Sequence, residues 1–232
     1  KSFSQQLENL EINLLKDPSK LVHSQTTSDL TFSYFYEGLE YWNENNSSND
    51  YETFYQKMIS TVGPNLAIVL HYKDFIVQSL FESIRQENSF ALVPFINLVC
   101  LIGKDLRGDF YSTYGRETFS LLANLLKTNR DPLVIEAVFM CITYLFKYLA
   151  IEIINDCDAL SETFALLLYL PNEKHFYNRK FMSEALGFLI KRTTIEHLPA
   201  LFKSLLDSKW NIEKFEENFS TFSSMLFYSI KS

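Results

Sequence analysis

Apolar side chains recur at steps of three and four through most of this sequence, and almost nothing interrupts them. Leu66, Val69, Leu70, Val77, Leu80, Phe81 and Ile84 make one such stripe. Phe119, Leu122, Leu125 and Leu126 make a second, and Val134, Val138, Cys141, Ile142, Leu145 and Leu149 a third. Met182, Leu186, Leu189 and Ile190 follow, and the segment from Ile212 to Ile230 carries Ile212, Phe215, Phe219, Phe222 and Leu226. A period near 3.6 residues places each set on one face of a helix. Pro64 suits the first turn of the helix that bears the first stripe, where a missing N–H costs nothing. Glycine and proline number 6 each in 232 residues, about half the usual share. A sandwich or barrel needs more turn residues than that. The chain reads as all-α.

The third stripe says more about architecture. Leu133, Ile135, Phe139, Met140 and Phe146 occupy its remaining faces, and a helix apolar nearly all round must be covered on several sides. An inner helix of a two-layer stack is covered in this way. Leu121-Leu122-Ala123-Asn124-Leu125-Leu126 runs into a short polar break, Asp131-Pro132 and another helix, while Leu166 to Leu170 runs into Pro171 to Lys174 and another. Aligning Ile142 with Leu186 and Leu145 with Leu189 gives an offset of 44 residues, which upstream falls on Leu98 and Leu101. Helix–turn–helix units recurring every ~40–47 residues are the mark of HEAT and armadillo arrays. The sequence therefore predicts an α-solenoid of degenerate HEAT/armadillo-like helical repeats. Residues 1–232 are expected to form a single helical-repeat segment of a larger protein, with 1–29 irregular and lying over its surface and the repeats filling approximately 30–232. The polar run from Asn43 to Asp50 is short enough to be a turn between helices.

Composition excludes several functions. Aromatic residues supply 21 Phe, 13 Tyr and 2 Trp, a large packing surface for the interior or for neighbours. The net charge of −7 gives no bulk attraction to nucleic acid or anionic lipid. The longest stretch without an acid or base, Asn88 to Gly103, contains Asn, Ser and Pro and is shorter than the ~18–20 apolar residues of a membrane span. Cys100, Cys141 and Cys157 lack Cys-x-x-Cys spacing and read as buried thiols in a reducing compartment. The Asn45, Asn46 and Asn218 strings match the glycosylation pattern and, without a secretion signal, read as coincidence.

Catalytic patterns are lacking. Gly103 and Gly108 have the first spacing of a phosphate-binding loop but are followed by Asp109 and Phe110, and an acid there repels phosphate. His23, His71, His175 and His197 are scattered, with no pair one helical turn apart to hold a metal. No Gly-x-Ser-x-Gly elbow occurs. The carboxylate pairs Asp105/Asp109 and Glu213/Glu217 read as solvated helix charges. No catalytic, cofactor-binding or metal residues are assigned, and no small-molecule substrate or membrane partner is expected.

Charge is unevenly spread. Residues 1–60 carry four basic and nine acidic side chains, and 131–170 one and six. Between 171 and 195 the sign reverses, with Lys174, Arg179, Lys180, Lys191 and Arg192 against Glu173 and Glu184, and His175, Phe176 and Tyr177 interleaved. Cations with aromatics suit a phosphate backbone, and equally suit an ordinary solvated turn. These five cations are the candidate RNA-contact patch. The aromatic run Phe32, Tyr34, Phe35, Tyr36, Tyr41 and Trp42 is expected to pack in the core, and any of its rings left exposed would mark a partner surface.

Several strings, taken in order, carry a resemblance. They are Tyr34-Phe35-Tyr36-Glu37-Gly38-Leu39-Glu40-Tyr41-Trp42, Ile76-Val77-Gln78-Ser79-Leu80, Asn88-Ser89-Phe90 and Asp105-Leu106-Arg107-Gly108-Asp109-Phe110-Tyr111. Tyr144-Leu145-Phe146-Lys147-Tyr148-Leu149 and Asn178-Arg179-Lys180-Phe181 through Phe188-Leu189 complete the set. From Phe3 to Thr194 the chain resembles the N-terminal region of the DRIM (down-regulated in metastasis) family. That family is the giant HEAT-repeat component 20 of the small-subunit processome, associated with a small nucleolar RNA. The resemblance implies a nucleolar, non-enzymatic scaffold for pre-ribosomal particles and small-subunit rRNA processing, with processome proteins and pre-ribosomal RNA as partners. It assigns no RNA contact to particular residues. The alternative is a HEAT-repeat binding module of another kind, a nuclear transport receptor or a phosphatase-type adaptor.

Overall fold

The computed structural model describes residues 2–8, 32–86, 90–156, 163, 176–199, 202, 223–224 and 226–227, with backbone alone at 176–179. Among them all regular structure is helical. A short helix α1 spans 3–8. It is followed by α2 (Tyr34–Asn45), α3 (Asn49–Ile59), α4 (Leu66–His71), α5 (Lys73–Arg85), α6 (Leu92–Leu106), α7 (Gly108–Thr128), α8 (Pro132–Tyr148), α9 (Ala150–Asn155) and α10 (Phe176–Arg192).

Local chemistry sets the starts. Ser33, Ser48, Asn65 and Asp131 are N-caps whose side chains accept from Tyr36, Tyr51, Ala67 and Leu133 N–H groups, relieving donors that have no partner within the helix. Pro132 then occupies the first turn of α8. Pro64 lies outside the helix, ahead of the Asn65 cap. The stripe from Leu66 to Ile84 is also not one helix. It breaks at Tyr72 (φ −100°, ψ 17°), which ends α4 and caps α5. Only Val69 of α4 is buried, whereas α5 buries Ile76, Val77, Leu80, Phe81 and Ile84.

The helices pack in two rows. α6 lies between α2 and α8, and α8 also meets α10. In the second row α5 touches α3 and α7, and α7 touches α9. The rows meet through the pairs α2–α3, α5–α6, α6–α7, α7–α8, α8–α9 and α9–α10. One core runs between them and includes every residue of the second, third and fourth stripes. Leu98, Ile142 and Leu186, the positions 44 residues apart, are all fully buried. Ion pairs tie the second row together: Lys57 to Glu82 at 3.7 Å, Lys73 to Asp109 at 3.3 Å, and Arg85 to Glu117. The Tyr114 hydroxyl also donates to Asp74.

Two further details depart from the sequence reading. Residues 3–8 are helical, and Phe3 is buried among the rings of Phe146, Phe181 and Phe188 at centroid distances of 6.4, 5.7 and 5.3 Å. Gln6 accepts a hydrogen bond from the Thr143 hydroxyl across 137 positions of sequence. Asp105 is not a solvated charge. Its carboxylate accepts from Ser33 Oγ (2.7 Å) and from the Tyr34 and Phe35 N–H groups (3.0 and 2.9 Å), so α6 caps the start of α2. The stripe from Ile212 to Ile230 falls mostly outside the described residues.

Candidate functional site

The candidate basic patch is only partly gathered by the fold. Lys174 is outside the described residues, and Arg179 lies on α10 without a described side chain. Lys180, Lys191 and Arg192 are exposed on the same helix. Eleven residues of helix bring Lys180 and Lys191 to within about 20° of one face, ~16 Å apart along the axis. Arg192 turns about 100° away from Lys191, and its guanidinium sits 4.6 Å from the Phe188 ring centroid. Glu184, between the two lysines, is 9% exposed, and its Oε2 has no hydrogen-bond partner among the described residues.

A second candidate lies on the first row, partly along the aromatic run whose exposed rings the sequence marks as a partner surface. Two adjoining hollows share Asn97 and Met140. The first, about 670 Å³, lies between α6 and α8 and includes Phe90, Val93, Leu133 and Ala137. The second, about 390 Å³, lies over α6 between α2 and α8 and includes Tyr34, Tyr41, Trp42, Leu101 and Tyr144. Gly38 forms part of its floor: a Cβ there would stand 2.2 Å from Leu101 Cδ1, so α2 approaches α6 closely at this point. The groove exposes large apolar surface, with Phe90 at 90%, Leu133 at 67% and Tyr41 at 56%. Tyr41 is thus a ring of the aromatic run left outside the core, while Phe35 is fully buried. Leu133, which the sequence places on a covered face of α8, is instead open at the start of that helix.

Electrostatics mark the same groove. Its ionisable carboxylates are Glu37, Asp131 and Glu136, and no Lys or Arg lines either hollow. Lys104 stands just beyond, its ammonium 3.4 Å from the Tyr34 ring centroid. Burial pushes the Tyr144 and Tyr34 phenols up from their ordinary value, with the Asp105 carboxylate adding to the Tyr34 shift. Both hydroxyls are buried without a hydrogen-bond partner among the described residues. Below the groove, Cys100 and Cys141 are buried free cysteines, and a hydrogen bond to Cys100, with burial, holds the Cys141 thiol well above its ordinary pKa. Such a thiol stays protonated and is a poor nucleophile. No cluster of three potential metal ligands occurs among the described residues, nor any helix long and apolar enough to cross a membrane.

No family model matches the chain. Curated relatives do. The chain is 28% identical over 209 residues to U3 small nucleolar RNA-associated protein 20 of Saccharomyces cerevisiae, a match covering 89% of the chain and 8% of that protein. It is 30% identical over 200 residues to the protein of the same name in Schizosaccharomyces pombe, covering 84% and 8%. The chain is related to this family. The DRIM-family strings of the sequence are therefore part of a similarity that extends along most of the chain. The chain spans about a twelfth of the length of these DRIM-family relatives. Their name records association with the U3 small nucleolar RNA.

Proposed function

We propose that this chain is a non-catalytic scaffold segment of the small-subunit processome, acting in the nucleolus of the nucleus in pre-ribosomal particle assembly and small-subunit rRNA processing. The observation that carries the reading is the match of 84–89% of the chain to both U3 small nucleolar RNA-associated relatives. We read its two rows of helices as an α-solenoid of degenerate HEAT/armadillo-like repeats. The buried register of Leu98, Ile142 and Leu186 on α6, α8 and α10 supports that architecture. The mechanism is geometric: successive helix pairs offer one extended surface on which several proteins and RNA elements are held at high effective concentration. Processome proteins and pre-ribosomal RNA are its partners in this reading, with Lys174, Arg179, Lys180, Lys191 and Arg192 as the RNA-contact candidates.

Affinity purification of the full-length protein at gentle salt, with proteins and RNAs identified, tests this. Small-subunit assembly factors recovered with precursor rRNA are the expected result. Transport cargo or a phosphatase subunit without rRNA would overturn it in favour of another HEAT-type adaptor. Charge reversal at Lys174, Arg179 and Lys180 together is expected to weaken co-sedimentation with pre-ribosomal particles, and unchanged sedimentation removes the patch from the interface.

A further inference from the structure

The groove over α6 has a composition that selects its occupant. Its floor and walls are apolar and aromatic, and several large side chains stay in water: Phe90, Leu133 and Tyr41 are more than half exposed. Its ionisable lining is acidic throughout, with Glu37 at one end and Asp131 and Glu136 at the other. RNA, with one negative charge per nucleotide, meets repulsion along such a surface. A protein segment that carries apolar anchors flanked by lysine or arginine meets complementarity in both respects. Length agrees as well. From Leu92 to Leu101 the groove follows about two and a half turns of helix, ~14 Å at 1.5 Å per residue, which fits about four residues of extended chain. The buried Tyr34 and Tyr144 hydroxyls at one end have no partner among the described residues, and a peptide backbone laid nearby brings carbonyl acceptors, which buried phenols ordinarily require.

We propose that the groove formed by α2, α6 and α8 is a docking site for a short basic, apolar-anchored segment of another protein. The inference stands on the geometry and charge of this surface and does not depend on the processome reading. It also divides labour within the chain. Phosphate-seeking cations sit on α10, whereas the groove over α6 receives cationic polypeptide.

Photo-crosslinking in the full-length protein in cells tests it, with p-benzoylphenylalanine replacing the exposed Leu133. The expected product joins position 133 to a peptide of a different polypeptide that has an excess of Lys and Arg within about ten residues of the attachment point. Its yield should fall at least ~10-fold in a Glu37→Lys/Glu136→Lys background, the scale of losing 1.4 kcal/mol of binding, and fall further as salt is raised. Glu37 is exposed and Glu136 half-buried, and helical circular dichroism equal to the parent verifies the fold. Crosslinks to RNA, to residues 9–31 of the same chain, or to peptides without cationic flanks overturn the proposal. So do a yield insensitive to the double charge reversal and the absence of any crosslink.

Discussion

Asp105 is the side chain whose role most exceeds its appearance in the sequence. Three donors from the start of α2 converge on it, so its removal leaves an N-terminus without its partner and a half-buried cluster of unmet N–H and O–H groups. Asp105→Ala is expected to cost about 1–3 kcal/mol in denaturant unfolding, the range for orphaning such donors. Burial raises the Asp105 carboxyl above its ordinary 3.8, outweighing the hydrogen bonds from Phe35, Ser33 and Tyr34 that pull it down. A raised folded-state value means the fold prefers the protonated form. The carboxyl's linked contribution is then fully present below 3.8 and declines as pH rises through its folded pKa. Asp105→Asn, with a neutral side chain that still accepts, should therefore gain on the parent as pH rises from 3.5 toward 6. Parallel unfolding curves at each pH check the sign. Arg107, two residues on, has φ 51° and ψ −122°, a region that L side chains enter only at a cost of order 1–3 kcal/mol. Arg107→Gly should raise stability by ~0.5–1 kcal/mol while Arg107→Ala should not, as read by thermal midpoints.

Between elements, α1 against α8 and α10 is a tie of long reach among the described residues. Phe3 contributes its ring to the Phe146, Phe181 and Phe188 cluster, and Gln6 bonds Thr143. Phe146 is fully buried and also meets Phe119 at 5.7 Å. Phe146→Ala is expected to cost about 3–5 kcal/mol. Phe3→Ala should cost less, because α1 is short and can detach locally without unfolding the rows. Hydrogen exchange separates the two: Phe3→Ala should expose α1 and the adjoining turns of α8 alone, whereas Phe146→Ala should speed exchange throughout α7 and α8. The legibility of these elements in sequence follows from the range of the interactions. The stripes of α7, α8 and α10 were readable because a helix face is set by neighbours three and four residues away. The break at Tyr72 was not, since apolar spacing continues across it with no glycine or proline. The capping role of Asp105 has no local signature, because its partners lie 70–72 residues away. Exposure of Leu133 depends on what packs beside the first turn of α8, which no local pattern encodes.

Over the whole molecule, tyrosine burial links stability to alkaline pH. Tyr51 donates to the Leu39 carbonyl at 2.8 Å, Tyr55 to Glu40 and Tyr114 to Asp74. Burial, with hydrogen bonding and the charge of Glu40, pushes Tyr55 up to about 12, and burial raises Tyr51 and Tyr114 as well. These raised values contribute stability that is whole below pH 10, the ordinary phenol value, and is lost as pH climbs through the folded values. The tyrosinate absorbance near 295 nm should therefore lag behind that of the urea-unfolded chain and then rise together with loss of helical circular dichroism above about pH 11. A titration superimposable on that of the unfolded chain would contradict this. The seating of Phe3 also has a meaning in time. Its ring meets Phe188, which emerges from a translating ribosome about 180 residues later, roughly 10–40 s at ordinary elongation rates of ~5–20 residues per second. Through that interval the Phe3 side chain has no finished site to enter, so α1 docks only after α10, made well after it, has emerged.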